Sequence, residues 1–317
     1  MLSGSIDPHF TVAGFLVGAL VGVTGVGGGS LMTPILILLF GVSPATAVGT
    51  DLLFAAVTKT VGSIVHGYNE TIDWRVVRRL AIGSIPATAL ALIVLASLNA
   101  KGGGAHGLIT GVLSIALLLT AGVLIARNRL YSRYAQRLAA LDDRTIGRLT
   151  IAMGAALGLM VTFSSVGAGA IGVTALVLLY PRVSTARIVG SDIAHAVPLT
   201  LIAGLGHGAM GSLDAHALLS LLAGSIPGIF VGSSIAARIP DAALRYVLAA
   251  VFIVVGSKLA IDVATPSPPN IAAATITDSG QSGCAIVVKE QPESDARARV
   301  PAIVAPREDR ISRRTKC

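Results

Sequence analysis

Charge is scarce in this sequence. Asp, Glu, Lys and Arg make up 13% of its 317 residues, where a soluble domain carries about 25%. Cysteine is nearly absent: Cys284 and Cys317 both lie in the polar C-terminal stretch. That placement excludes a disulfide framework, a zinc site and a membrane-buried thiol relay, and no metal or cofactor is expected. The first residues, "MLSGSIDPHF", lack a basic region, so the first apolar run reads as an uncleaved membrane element rather than a signal peptide.

What fills the chain is apolar surface. Hydrophobic residues reach 53% and the mean hydropathy is +0.79. Apolar runs recur along the first 262 residues, several of them near the roughly 20 residues that cross a bilayer. The expected fold is an all-α polytopic membrane protein. The formal charge of +8 would suit nucleic acid, but the Lys and Arg residues sit between apolar runs and in the tail. Membrane topology requires that placement, and no nucleic-acid partner is expected.

The chain is written twice. "VGTDLLFAA" at 48–56 is echoed by "IVGSDIAHA" at 188–196, and "GSIP" occurs at 83–86 and at 224–227. At a shift of 141, Ser43, Gly49, Asp51, His66, Gly67 and Asp73 meet Ser184, Gly190, Asp192, His207, Gly208 and Asp214. At a shift of 140, Gly14, Gly18, Gly27 and Gly29 meet Gly154, Gly158, Gly167 and Gly169. The organisation follows: a first transmembrane repeat over 10–126, a basic connector over 127–148, a second repeat over 149–262 and a polar tail over 263–317. The tail is rich in Pro, Ser and charge without an apolar periodicity, and is expected to be disordered.

Each half holds five apolar segments, near 11–25, 30–40, 45–66, 76–98 and 107–126, then 150–164, 169–180, 186–206, 216–237 and 244–262. The first two of each half are short and flank a glycine-rich break; the other three are full length. The connector carries Arg127, Arg129, Arg133, Arg137, Arg144 and Arg148, which places it in the cytoplasm. Counting outward, the loop with Arg75, Arg78 and Arg79 is inside, whereas its mate at 207–215 has no Lys or Arg and is outside. Loop 41–44 is uncharged, whereas its mate carries Arg182 and Arg187. The expectation is therefore two inverted-topology repeats, each a broken short-helix pair plus three full transmembrane helices. The same count places the Arg-bearing tail outside, against its charge, although charges far from the last span bias topology weakly.

Inverted repeats with interrupted helices are a common plan of secondary transporters, with the substrate at the breaks. Gly25, Gly27, Gly28, Gly29 and Ser30 in "GVGGGS" form the first break; Ser164, Ser165, Gly167 and Gly169 in "SSVGAG" form the second. Half-helices starting there aim backbone N–H groups and a partial positive charge at an anion. The bland alternative is close helix packing by small residues. "GVGGGS" also lacks the Gly-Lys-Ser/Thr ending of a nucleotide-binding loop.

Ionisable residues inside spans point to function. Lys59 is the candidate fixed positive charge, or else a structural partner of Asp51 or Asp192. Asp51, Asp192 and His195 are the candidates for proton coupling, Asp192 and His195 sharing one helix face. Alternatively the two Asp residues brace helix starts in "GTD" and "GSD". His66 and His207 fit an interfacial role.

The residues "GFLVGALVGVTGVGGGSLMTPILILLFGVSPATAVGTDLL", "GSIVHGYNETIDWRVVRRLAIGSIPA" and "GAALGLMVTFSSVGAGAIGVTALVLL" resemble the sulfite exporter TauE/SafE family of membrane permeases, across nearly all of 10–262. The resemblance implies seven or eight spans, the bacterial cytoplasmic membrane, and export or uptake of small sulfur-containing anions such as sulfite or sulfonates. The function expected is a secondary transporter of such an oxyanion, coupled to protons, with a homo-oligomer left open. A passive anion channel and a membrane-embedded enzyme using Ser164, Ser165 and His195 are the alternatives.

Overall fold

The computed structural model describes residues 7–24, 29–100, 105–167, 169–235 and 241–265. The polar tail, with Cys284 and Cys317, lies outside the described residues, as do Gly25, Gly27 and Gly28. Among the described residues ten helices follow one another: α1 Pro8–Thr24, α2 Gly29–Phe40, α3 Pro44–Tyr68, α4 Trp74–Ala100, α5 Ala105–Ala139, α6 Asp143–Ser164, α7 Ala170–Leu179, α8 Thr185–Ala209, α9 Ala215–Ile235 and α10 Asp241–Ala264. Among the described residues there is no strand.

Seven of these helices, α3, α4, α5, α6, α8, α9 and α10, are long and apolar enough to cross a membrane. α6 is the one that departs from the hydropathy reading. Its apolar part begins near residue 150, but the helix starts at Asp143 and runs 22 residues. Asp142 caps it, its carboxylate accepting from the hydroxyl of Thr145 at 2.5 Å and from the N–H of Thr145 at 3.2 Å. Those bonds hold the Asp142 carboxyl below the ordinary carboxylate range. Arg144 and Arg148 extend the helix without adding to its apolar count. The connector is helical too, since α5 runs 35 residues to Ala139.

α1, α2 and α7 remain short, at 17, 12 and 10 residues. The starts of α3 and α8 are set alike: Ser43 Oγ accepts from the Thr46 N–H, and Ser184 Oγ from the Arg187 N–H, each at 3.4 Å. These serines do the capping that the sequence left open to Asp51 and Asp192.

Glycine sets the packing. A Cβ at Gly14 of α1 would lie 2.2 Å from the Leu221 carbonyl oxygen of α9, and one at Gly18 would lie 2.4 Å from that of Ser225. The equivalent residues, 140 positions on for the glycines and 141 back for their partners, repeat the contact: Gly154 of α6 against Leu80 O of α4 at 2.3 Å, and Gly158 against Ser84 O at 2.5 Å. Helix backbones touch at these sites, which only glycine permits, and van der Waals contact of this kind holds helices together where water supplies no hydrophobic drive.

The contacts also give direction. Along α1 and α9 both numbers rise together, so these helices run parallel, as do α4 and α6. α3 and α8 instead run antiparallel: Gly49 abuts His207, Gly62 abuts Ile193, and Gly190 abuts His66. α5 and α10 do likewise, with Asn128 beside Arg245 and Ser114 donating to Gly256 O at 2.8 Å. The equivalent helices α3 and α8, and likewise α5 and α10, thus face each other head to tail. Buried Leu113, Leu117, Phe252 and Val255 fill the α5–α10 seam, and Val48, Leu52, Ala196 and Leu199 the α3–α8 seam. Large side chains such as Leu90, Ile93, Phe230 and Val254 point outward and are exposed, as suits lipid.

Candidate functional site

The antiparallel pair α3–α8 carries the ionisable residues, and the short helices α2 and α7 are brought to it. Asp51, on α3, is fully buried. Its Oδ2 accepts two hydrogen bonds from Thr33 of α2, from the hydroxyl at 2.5 Å and from the N–H at 3.2 Å. Its Oδ1 has no partner. The carboxylate therefore ties the short helix α2 to α3 with one oxygen and leaves the other turned into the interior.

Asp192, on α8, occupies the corresponding place in the second half and is buried. A Cβ at Gly172 of α7 would lie 2.5 Å from its Oδ1, so the short helix approaches this carboxylate backbone-first. That oxygen too has no hydrogen-bond partner. One turn on, His195 is fully buried, with Nε2 2.8 Å from the hydroxyl of Ser84 on α4 and Nδ1 unpartnered. Pro86 in α4 and Pro198 in α8 each remove one helical N–H close to this pair.

Lys59 lies two turns after Asp51 and is 7% exposed. It forms no ion pair and no hydrogen bond with any described residue. The charges acting on it most strongly are those of Asp192 and then Asp51; His195 in turn feels Lys59. An ammonium carries three donors, and none of them meets an acceptor among the described residues.

The second break is a short reversal between α6 and α7. Ser165 ends α6 in the left-handed conformation, φ 56°, its N–H donating to Val161 O at 2.7 Å. Its Oγ is buried without a partner and faces the Asp51 carboxylate. A non-glycine residue at positive φ is costly and concentrates at functional positions. Ser164 is committed to local structure, donating to Met160 O at 2.6 Å and accepting from the Val166 N–H at 3.2 Å. Gly167, at φ 112°, accepts from the N–H groups of Ile171 and Gly172, and Gly169 O accepts from Val173. The Val173 bond is the first of the helix itself, while the Ile171 and Gly172 donors, otherwise free at a helix start, are used within the break.

In the first break, Gly29 opens α2 and Ser30 is its second residue; Gly25, Gly27 and Gly28 lie outside the described residues. The structure thus gathers Asp51, Lys59, Ser165, Asp192 and His195 into one buried region, and leaves Ser164, Gly167 and Gly169 as architecture of the break. The serine–histidine contact is with Ser84, not with Ser164 or Ser165. His207, read as interfacial, is buried, with Nε2 2.9 Å from Thr162 O.

Thr33 and Ser84 escaped the sequence reading. Hydroxyl residues are common in apolar helices; Ser84 meets Ser225 within the repeated "GSIP" at the shift of 141, whereas Thr33 falls where the shift is 140 and meets Val173, which has no hydroxyl. Among the described residues no group of His, Cys, Asp and Glu side chains could hold a metal ion.

The sulfite exporter TauE/SafE family model matches residues 10–259. A probable membrane transporter protein of Bacillus subtilis, YjnA, is 38% identical over 249 residues, covering 78% of this chain and 96% of its own. A second from the same organism, YdhB, is 27% identical over 238 residues, with 73% and 91% covered. A probable membrane transporter protein of Xylella fastidiosa is 27% identical over 235 residues, with 71% and 83% covered. No solved structure shows significant similarity to the chain. The family match spans both halves and every helix that carries the buried cluster, and seven helices fit to span a membrane agree with the relatives' printed names; this multi-pass membrane transporter belongs to the sulfite exporter TauE/SafE family.

Proposed function

We propose that the chain is a secondary transporter moving a small sulfur oxyanion, such as sulfite or an organosulfonate, across the bacterial cytoplasmic membrane, with protons as the coupling ion. The observation that carries this reading is Lys59, a buried lysine with no hydrogen bond to any described residue, lying in the field of two buried carboxylates that each keep an unpartnered oxygen. An oxyanion supplies the acceptors that this ammonium lacks, and Ser165 Oγ, also unpartnered, supplies a donor from the opposite half. Arginine would grip an anion in a planar fork; a lysine point charge suits a ligand that must leave.

Proton coupling follows from charge. An anion entering beside Asp51 and Asp192 meets two like charges in a low-dielectric interior, where an uncompensated charge costs several kcal/mol, on the order of ~3–5. Each proton taken up by one of the carboxylates removes one of those charges. With a monoanion, Lys59 and two protonated carboxyls, the site is neutral, and a neutral site can cross between access states more cheaply than a charged one. His195, against Ser84, is the adjacent group able to pass a proton. The breaks before α2 and α7 let the two head-to-tail halves shift against each other around the site.

Purified protein in proteoliposomes, offered radiolabelled sulfite and a panel of sulfonates under an imposed pH gradient, tests the reading. Uphill accumulation of a sulfur oxyanion that collapses when the gradient is dissipated is the expected result. Flux that only ever runs downhill would make the same site a channel. Absence of flux for every member of the panel would remove sulfur oxyanions from the proposal.

A further inference from the structure

A second cavity lies away from the buried cluster, between α5, α7, α8 and α10. It has a volume of about 420 Å³ and opens at the end of the bundle where α5 leaves its apolar stretch. Its polar wall is Arg127, Asn128 and Tyr131 of α5, Thr185 at the start of α8, and Arg245 near the start of α10. Its other wall is apolar, Val177 and Leu178 of α7. No acidic side chain is among the described residues that line it.

The two guanidinium groups come from the two halves. Because α5 and α10 run head to tail, Arg127 near the end of one meets Arg245 near the start of the other, and Arg245 donates to Asn128 Oδ1 at 3.3 Å, which helps fix it at the rim. Thr174, on the face of α7 that lines the cavity, lies about 200° around the helix from Gly172, which faces Asp192. The cavity is therefore separated from the central cluster by the thickness of α7.

We propose that this cavity is a binding site for a phosphate-type oxyanion carrying an organic group, held by Arg127 and Arg245. Guanidinium forks match tetrahedral oxyanions in charge and geometry. The volume falls within the range of ~300 Å³ upward that accommodates organic ligands and exceeds what a bare tetrahedral anion fills. The apolar wall of Val177 and Leu178 and the rim position suit an anionic lipid headgroup with the start of its chains, since basic pockets between membrane helices take such headgroups. A free phosphorylated solute presents the same chemistry. The inference is independent of which anion crosses the membrane, and its readout involves no transport.

The test uses the full chain purified in detergent, with thermal unfolding followed as ligand is added. Probes are dioleoyl phosphatidylglycerol, dioleoyl phosphatidylcholine, glycerol phosphate and inorganic phosphate. A ligand that binds the folded state raises the unfolding temperature in proportion to its affinity. The expected result is stabilisation by phosphatidylglycerol but not phosphatidylcholine, with the apparent affinity falling at least ~tenfold in R127Q/R245Q, since each charge-assisted hydrogen bond contributes ~1.5–3 kcal/mol. Stabilisation by glycerol phosphate alone, lost in the same variant, assigns the site to a free solute instead. Where the double variant does not fold, Y131F/T185V, which keeps both guanidinium groups, carries the comparison with a smaller loss. Equal response of wild type and variants to all four probes would overturn the site.

Discussion

The backbone N–H of Asp73 donates to the hydroxyl of Ser191 at 2.8 Å, joining the α3–α4 turn of the first half to α8 of the second. The reciprocal bond runs from Asp214 N–H to Thr50 Oγ1 at 3.1 Å. Asp73 and Asp214 are 141 residues apart, and so are Thr50 and Ser191. Each half therefore pins the turn of the other through the same bond, and the two bonds lie at opposite ends of the antiparallel pair α3–α8. The expectation is that the turns lie on opposite faces of the membrane. Single cysteines at Asn69 and at Ala209, both exposed at the ends of these helices, in a chain with Cys284 and Cys317 changed to Ser, provide the measurement. A membrane-impermeant maleimide on intact cells should label Ala209→Cys and spare Asn69→Cys until the membrane is opened. Labelling of both from one face would mean that the halves are not inverted.

The glycine contacts predict a sharp contrast within one residue type. Gly83→Ala places a methyl group 1.9 Å from Ile151 O and so must push α4 from α6, and Gly224→Ala does the same to α9 against Thr11 O. Each should destabilise the protein by ~1–3 kcal/mol or more, read as a lower unfolding temperature in detergent. Gly111→Ala and Gly122→Ala meet nothing within 4 Å and should leave it unchanged or raise it slightly, since alanine favours helix over glycine. Equal effects at all four positions would show that these interfaces are not closely packed.

The residues that stood out in the sequence were those that apolar helices rarely carry. Asp51, Lys59, Asp192 and His195 were legible because burial makes an ionisable group expensive, and the structure draws them together from α3 and α8. The register of the duplication was legible because glycine, aspartate, histidine and proline matched at a shift of 141 and the earlier glycines at 140, and the paired contacts of Gly14 and Gly154 fall on the latter. Other features lay in packing rather than in pattern. Thr33 meets Asp51 across 18 residues and Ser84 meets His195 across 111, and no local signal marks either bond. The first turns of α6 are polar, so hydropathy counted only its apolar remainder. At the second break the glycines read as carriers of donors toward an anion, but the carbonyl of Gly167 occupies two of those donors, the N–H groups of Ile171 and Gly172.

Thr33→Val tests whether the tie between α2 and α3 is what holds Asp51 in place. The substitution keeps the shape and deletes the hydroxyl donor, leaving Asp51 Oδ2 with the longer backbone bond alone. An unsatisfied buried acceptor costs ~1–3 kcal/mol, so the unfolding temperature should fall. Thr33→Ser, which keeps the donor, should restore most of the loss. Equal losses in the two variants would assign the effect to packing of the methyl group instead.

Lys59 and its two carboxylates separate anion binding from proton coupling. Lys59→Ala removes the positive charge that the transported anion would neutralise, and should lower the apparent affinity by ~tenfold or more, given ~1.5–3 kcal/mol for a charge-assisted bond. It also leaves Asp51 and Asp192 without a nearby cation, so an added loss of stability is expected. Lys59→Ala in the D51N/D192N background removes that second effect, because no uncompensated carboxylate remains. Transport lost in both backgrounds, with stability recovered in the triple variant, assigns Lys59 to the anion. D51N/D192N alone should still exchange labelled anion for unlabelled across proteoliposomes but should no longer concentrate it under a pH gradient, since amides take up no proton in this range. If Lys59→Ala transports with wild-type affinity, the lysine only balances the carboxylates, and the anion must be held elsewhere. If D51N/D192N still drives accumulation under a pH gradient, the coupling proton travels by His195 or another route, and the carboxylates serve only to brace α2 and α7 against the α3–α8 pair.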